Sequence, residues 1–231
     1  MQHRLVARTT EQPLRPVLLA GVVLAWAITV ALSLSGAAVV RHDRLLTGGM
    51  PLWEATAVFV VGWQVMLWAM MVPGSARTIS RQRSAVAFIA VLLGVWTVFG
   101  VATLYFDAGV HATVNRWPWL AEHSWLISGS VLLFAGVYQL SDLKARSLAA
   151  CRHLATVEDA GLRYGLSCLG ADWALMLVGF ALGAGSIALM AALTAVMVAE
   201  STSHSTVFVK PIGYALIAVG ALTMAGPIQL P

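Results

Sequence analysis

Charge is scarce in this sequence. Asp, Glu, Lys and Arg make up 10% of its 231 residues, where a soluble globular domain carries about a quarter. With 59% hydrophobic residues and a mean hydropathy of +0.83, nothing is left for a soluble domain once the long apolar runs are set aside. Cysteine is nearly absent as well. Cys151 and Cys168 are the two in the chain, too few for a disulfide framework. There is no P-loop, dinucleotide-binding glycine fingerprint, nucleophile elbow or H-E-x-x-H, so no motif points to an enzyme. The centres of the apolar runs also lack the acids and bases that a pump or proton-coupled transporter carries at the midplane, and Gln64 is the deepest strongly polar side chain. No repeat of fixed period and no inverted pair of halves is visible.

What is present is apolar length. The runs predict an all-α polytopic bundle, a single integral membrane domain over 1–231. Its six spans fall at about 17–40, 53–72, 85–106, 125–140, 172–199 and 211–227. Pro73-Gly74 is expected to stop the second span. The fourth barely crosses at about 1.5 Å per residue, so it should run on into the polar segment after it. The fifth is long, and Gly183-Ala184-Gly185-Ser186 in its middle permits a kink or a break. The run 17–40 is too long for a signal-peptide core and reads as an uncleaved first span.

The net charge of +4 could suggest nucleic acid, but its distribution explains it more simply. Arg4, Arg8, Arg15, Arg77, Arg81, Arg83, Lys144, Arg146, Arg152 and Arg163 fall on one side of a six-span arrangement. Arg41, Arg44, Arg116 and Lys210 fall on the other. The positive-inside rule then puts both termini in the cytoplasm and makes the partner a lipid bilayer, with no role for nucleic acid. Splitting 172–199 into two spans would carry the C-terminus outside and change the balance by one residue only.

Four groups of side chains invite chemistry. The polar segment 138–176 holds both cysteines among four cations, which favour thiolate. Thiolates are soft ligands for copper(I) or zinc, and His153, Asp172 and Asp142 stand near them in sequence. Inert small fillers at the membrane face would look the same. Met66 and Met70 share a helix face with Trp63, with Met71 adjacent and Met50 in the preceding loop. Thioethers bind copper(I), yet methionine also packs adaptably. His42, His111, His123 and His204 are all expected on the outer face with Asp43, Asp107, Glu122 and Glu200, a set that suits copper(II) or zinc if it converges. Asp172 and Glu200 are expected to cap opposite ends of the fifth span. Small residues (Gly179, Gly183, Ala181, Gly185, Gly213 and Gly220) allow close helix approach.

The segment Tyr138, Gln139, Leu140, Leu143, Lys144, Leu148, Cys151, Arg152, then Gly165, Cys168, Gly170, Trp173, Leu175 and Met176, resembles a bacterial family described as predicted metal-binding integral membrane proteins of unknown function. The resemblance extends upstream through Trp63, Met66, Met70, Pro73 and Trp96, and downstream through Phe180, Met190, Thr194 and Glu200, about 60–210 in all. Ser147 stands where that family has a cysteine, and Ala171-Asp172 where it has a cysteine pair. The resemblance implies a bacterial inner-membrane protein that binds or hands on metal, copper or zinc, without catalysing a reaction. The surviving candidate ligands are Cys151, Cys168 and Asp172, with His153 nearby. The alternative it leaves open is a non-catalytic accessory subunit, packed against other membrane protein subunits.

Overall fold

The computed structural model describes residues 2–35, 45, 49–157, 160–182, 186–203 and 207–226, with side chains from residue 16 onward. The described residues fold into nine helices and no strand: α1 (Gln2–Leu34), α2 (Leu52–Ile79), α3 (Ala85–Arg116), α4 (Pro118–Glu122), α5 (Trp125–Gln139), α6 (Asp142–Leu154), α7 (Gly161–Ala181), α8 (Ile187–Thr202) and α9 (Val209–Met224). Four stretches are long and apolar enough to cross a bilayer: Pro16–Leu34, α2, α3 and α7. The pair α5 and α6, bent by 63° at the break between them, brings the number to five when it is counted as one broken span. The protein is a multi-pass, all-helical membrane protein, and side chains such as Val23, Val61, Val98 and Phe106 point their apolar surface outward.

Pro73 does not stop the second span. α2 continues through it to Ile79, because Ser75, Thr78 and Ile79 are buried against the rest of the bundle. A proline inside a helix leaves the carbonyl four residues earlier without its donor. That carbonyl is Ala69 O, and the indole N–H of Trp26 on α1 donates to it at 3.1 Å. Thus α1 docks on α2 partly through the defect that Pro73 creates, as membrane helices do when a neighbour fills a freed backbone group. Trp26→Phe should therefore destabilise the protein by about 1–3 kcal/mol, the cost of an orphaned buried acceptor. In a Pro73→Ala background, where the helix supplies its own donor, the loss should be markedly smaller. A double-mutant cycle on thermal unfolding checks this, and equal losses in both backgrounds would refute it.

Two further expectations change. The run 85–106 continues to Arg116 in α3, opened by Ser84, whose side chain accepts from Ala87 N–H. His111 is consequently on a helix rather than a loop. The long fifth span is also two helices. α7 starts at Gly161, well before 172, and ends at Ala181, and Ser186 caps α8 through Leu189 N–H. α8 runs back alongside α7, so its far end returns to the level of Cys168 and Asp172. As a result α9 starts beside Leu140, where Gly213 sits, and ends beside Gly129, where Met224 sits. The end of α9 therefore lies at the opposite end of the bundle from Lys144. A single span over 172–199, as expected from the sequence, would have put the end of α9 at the same end as Lys144.

The α5–α9 contact is the closest in the fold. A Cβ added at Gly136 would lie 2.7 Å from Gly213 O and 2.8 Å from Ile217 N. One added at Gly220 would lie 2.8 Å from Leu133 N and 2.9 Å from Gly129 O. Two glycines seven residues apart on each helix let the backbones meet, the small-residue packing that membrane helices use in place of hydrophobic burial.

Candidate functional site

The segment after α5 turns sharply and caps itself. Ser141 accepts from Lys144 N–H at 3.2 Å and donates its hydroxyl to Tyr138 O at 2.6 Å. This starts α6 with Lys144, Leu148 and Cys151 on one face, all buried. Lys144 is fully buried, and its ammonium reaches into the bundle to join three helices. It donates to Ala171 O at 2.5 Å, lies 3.4 Å from Asp172 Oδ1 on α7, and pairs with Glu200 Oε2 on α8 at 2.6 Å. Gln139 Nε2 donates to the other Glu200 oxygen. Arg152 donates through Nε and Nη2 to Glu200 O at 3.1 and 2.6 Å, closing the C-terminal end of α8. A buried charge is tolerated when paired and hydrogen-bonded, and here each charge has such partners.

This cluster corrects the expected positions of two acids. Asp172 and Glu200 do not cap opposite ends of one span, nor does Glu200 stand on the outer face. Both meet Lys144, because the chain reverses between α7 and α8. Gln82 Nε2 donates to Val157 O at 3.1 Å, so Arg77, Arg81 and Arg83 lie at this same, basic end.

One face of α6 carries Cys151 and the facing side of α7 carries Cys168. Their Cα atoms are 5.4 Å apart and the sulfurs are joined as a disulfide, a separation in the ordinary range for such a bond. Cys168 also lines a cavity of about 20 Å³, room for a single water-sized occupant. Met70 and Met71 on α2, Met197 on α8, Asp172 and Tyr164 complete the walls that matter chemically. The Tyr164 hydroxyl donates to Ser75 Oγ at 3.1 Å. Directly beyond lies a second cavity of about 10 Å³, lined by Met66, Met70, Met176 and Met190 with Phe180 and apolar neighbours.

His153 is exposed at the end of α6 and does not line either cavity. Among the described residues no three His, Cys, Asp or Glu side chains form a metal-holding group. Cys151, Cys168, Asp172 and His153 are therefore not brought together as one such set. Of the four outer histidines, the two within the described residues, His111 and His123, form no such group either. His111 Nδ1 lies 3.0 Å from Asp107 O within α3, and His123 Nδ1 lies 2.7 Å from Trp119 O while its ring stacks on the Trp119 ring. His42 and His204 lie outside the described residues.

The family model for PpoB2, described as a copper chaperone, matches residues 60–223. The chain belongs to that copper chaperone family. No curated protein and no solved structure matches it. The matched region runs from within α2 to the end of α9 and contains the Lys144 cluster, both cysteines and both cavities. This copper chaperone is thus a non-catalytic, copper-handling membrane protein.

Several of its residues escaped sequence reasoning. Lys144 entered there as a loop cation and as one residue of the family resemblance, with no buried partner assigned, although its spacing from Leu148 and Cys151 puts all three on one helix face. Met176, Met190 and Met197 drew no attention as ligands because they stand on different helices from the Met66–Met70 pair. Only the packing of α2, α7 and α8 brings the six methionines together.

Proposed function

We propose that this copper chaperone carries copper as Cu(I), bound by the reduced thiols of Cys151 and Cys168 and screened by the thioethers of Met70, Met71 and Met197. The observation that carries this reading is that Cys168, joined across the helix interface to Cys151, opens onto a cavity of about 20 Å³ whose walls include three methionines. Thiolate and thioether are soft donors and select Cu(I) over harder cations, which favours copper over zinc. The Asp172 carboxylate on the same wall supplies negative charge near an incoming cation. His153 takes no part in this reading. The basic end, by the positive-inside rule, faces the cytoplasm of a bacterial inner membrane, where thiols are kept reduced and ready for the ion. The protein then binds the ion and hands it to another membrane protein.

The test is Cu(I) competition against a chromogenic chelator, using anaerobic protein reduced with dithiothreitol and desalted. Cys151→Ser with Cys168→Ser should weaken the tight equivalent by more than about 100-fold, beyond the loss typical of supporting residues around a metal. Unchanged Cu(I) affinity in a folded double variant would refute the site.

A further inference from the structure

The methionines of this protein are not spread through its core. Nine occur in the chain, and the five that are buried among the described residues (Met70, Met71, Met176, Met190 and Met197) all line one or the other cavity. Half-buried Met66 joins them. Elsewhere the interior is filled by Leu, Val, Ala and aromatic side chains. If methionine served here only as an adaptable filler, nothing would confine it to the walls of two adjoining holes.

The two cavities share Met70, and three helices agree on their order. Going away from the basic end, α7 presents Cys168 and Asp172 to the first cavity, then Met176 and Phe180 to the second. α8 presents Met197 to the first and Met190 to the second, about 10 Å away at 1.5 Å per residue. On α2, Met70 borders both, and Met66 lies one turn, about 6 Å, further on. The second cavity has no side-chain nitrogen or oxygen in its wall, so its only electron-pair donors from side chains are thioether sulfurs.

We propose that the second cavity is a distinct monovalent-copper station formed by Met66, Met70, Met176 and Met190, and that Met70 passes the ion between it and the cysteine site. This rests on the cysteine reading of the previous subsection. The step is an exchange of ligands, with Cu(I) leaving a thiolate for a thioether and no change of oxidation state. Met70 suits the exchange because its three rotatable bonds let one sulfur reach either cavity while its Cα stays in place. An all-thioether site excludes zinc and copper(II), which prefer nitrogen and oxygen, so it filters the cargo as well as conducting it. The order of the sites directs the ion from the basic end toward the middle of the membrane.

The experiment is titration of the reduced full-length protein with Cu(I), and separately with Ag(I), followed by copper-edge X-ray absorption. Wild type should bind about two equivalents, with mixed sulfur distances. Met176→Leu with Met190→Leu keeps volume and apolarity, and should keep the first equivalent but lose the second. Cys151→Ser with Cys168→Ser should lose the first and keep the second. Met70→Leu should keep a bound equivalent at the cysteines and slow its release to an external chelator. If the Met176/Met190 variant still takes up both equivalents, the second station does not exist. A single wild-type equivalent, abolished by the cysteine variant, would overturn the station while sustaining the cysteine site. Uptake that the cysteine variant leaves intact and the methionine variant abolishes would instead refute the cysteine site and sustain the station. Should the double leucine variant fail to fold, the single variants Met176→Leu and Met190→Leu replace it, each expected to weaken the second equivalent, and unchanged binding in both would refute the station.

Discussion

Replacing Lys144 with methionine should cost this protein about 3–5 kcal/mol of stability, the largest single-residue effect expected outside the glycine contacts. Methionine has nearly the length of lysine and fills the same space, so the loss isolates charge from packing. The fully buried ammonium pairs with Glu200 at 2.6 Å and lies 3.4 Å from Asp172. Without it, two carboxylates and the Ala171 carbonyl face one another in the interior with no cation among them. Thermal unfolding in detergent should show the drop. Lys144→Met combined with Glu200→Gln should recover a substantial part of it, because the second change removes one of the stranded charges. A single variant as stable as wild type would mean that water reaches the cluster and that the pairing contributes nothing.

Gly136→Val should prevent α5 and α9 from docking. The first added carbon already falls 2.7 Å from a carbonyl oxygen and 2.8 Å from a backbone nitrogen of α9, and backbone cannot swing aside as a side chain can. Overpacking costs about 1–3 kcal/mol where side chains can adjust and more where they cannot. The helices must move apart along their length, and the matching glycine contact at Gly220 opens with them. Gly94→Ala on α3 is the internal control. Its Cβ would meet nothing within 4 Å, and alanine favours the helix by about 0.5–1 kcal/mol over glycine. The measurement is protease resistance and melting temperature of both variants. Similar behaviour of Gly136→Val and Gly94→Ala would contradict the close crossing.

Hydropathy located most of the helices because it registers which residues avoid water, and that property is local. It carries no information about direction. The run 172–199 is continuous in apolar character, so a reversal inside it leaves almost no trace, and the positive-inside count shifts by a single lysine. The misplacement of Glu200 followed from that one ambiguity. Pro73 misled for a related reason. The rule that proline ends a helix assumes that the freed carbonyl faces solvent or nothing, whereas Trp26 from another helix supplies a donor. The cysteine segment and the Met66–Met70 face were legible because each is local: two thiols among cations, and two thioethers one turn apart. The remaining methionines gained meaning only from the packing of distant helices, which a one-dimensional pattern cannot report.

The Lys144 cluster has a consequence for how the chain is made. Lys144 precedes Asp172 by 28 residues and Glu200 by 56. During synthesis the lysine therefore leaves the ribosome before α7 brings Asp172 and long before α8 brings its closest partner, Glu200. Only when α8 has emerged and folded back is the cluster of Lys144, Asp172 and Glu200 complete. The carboxylate that holds the ammonium most closely is thus also the last of the cluster to be made. A product that stops before α8 would keep the Ala171 carbonyl and Asp172 beside Lys144 but lack its shortest ionic contact, so α8 is also the helix that completes the charge balance of the interior.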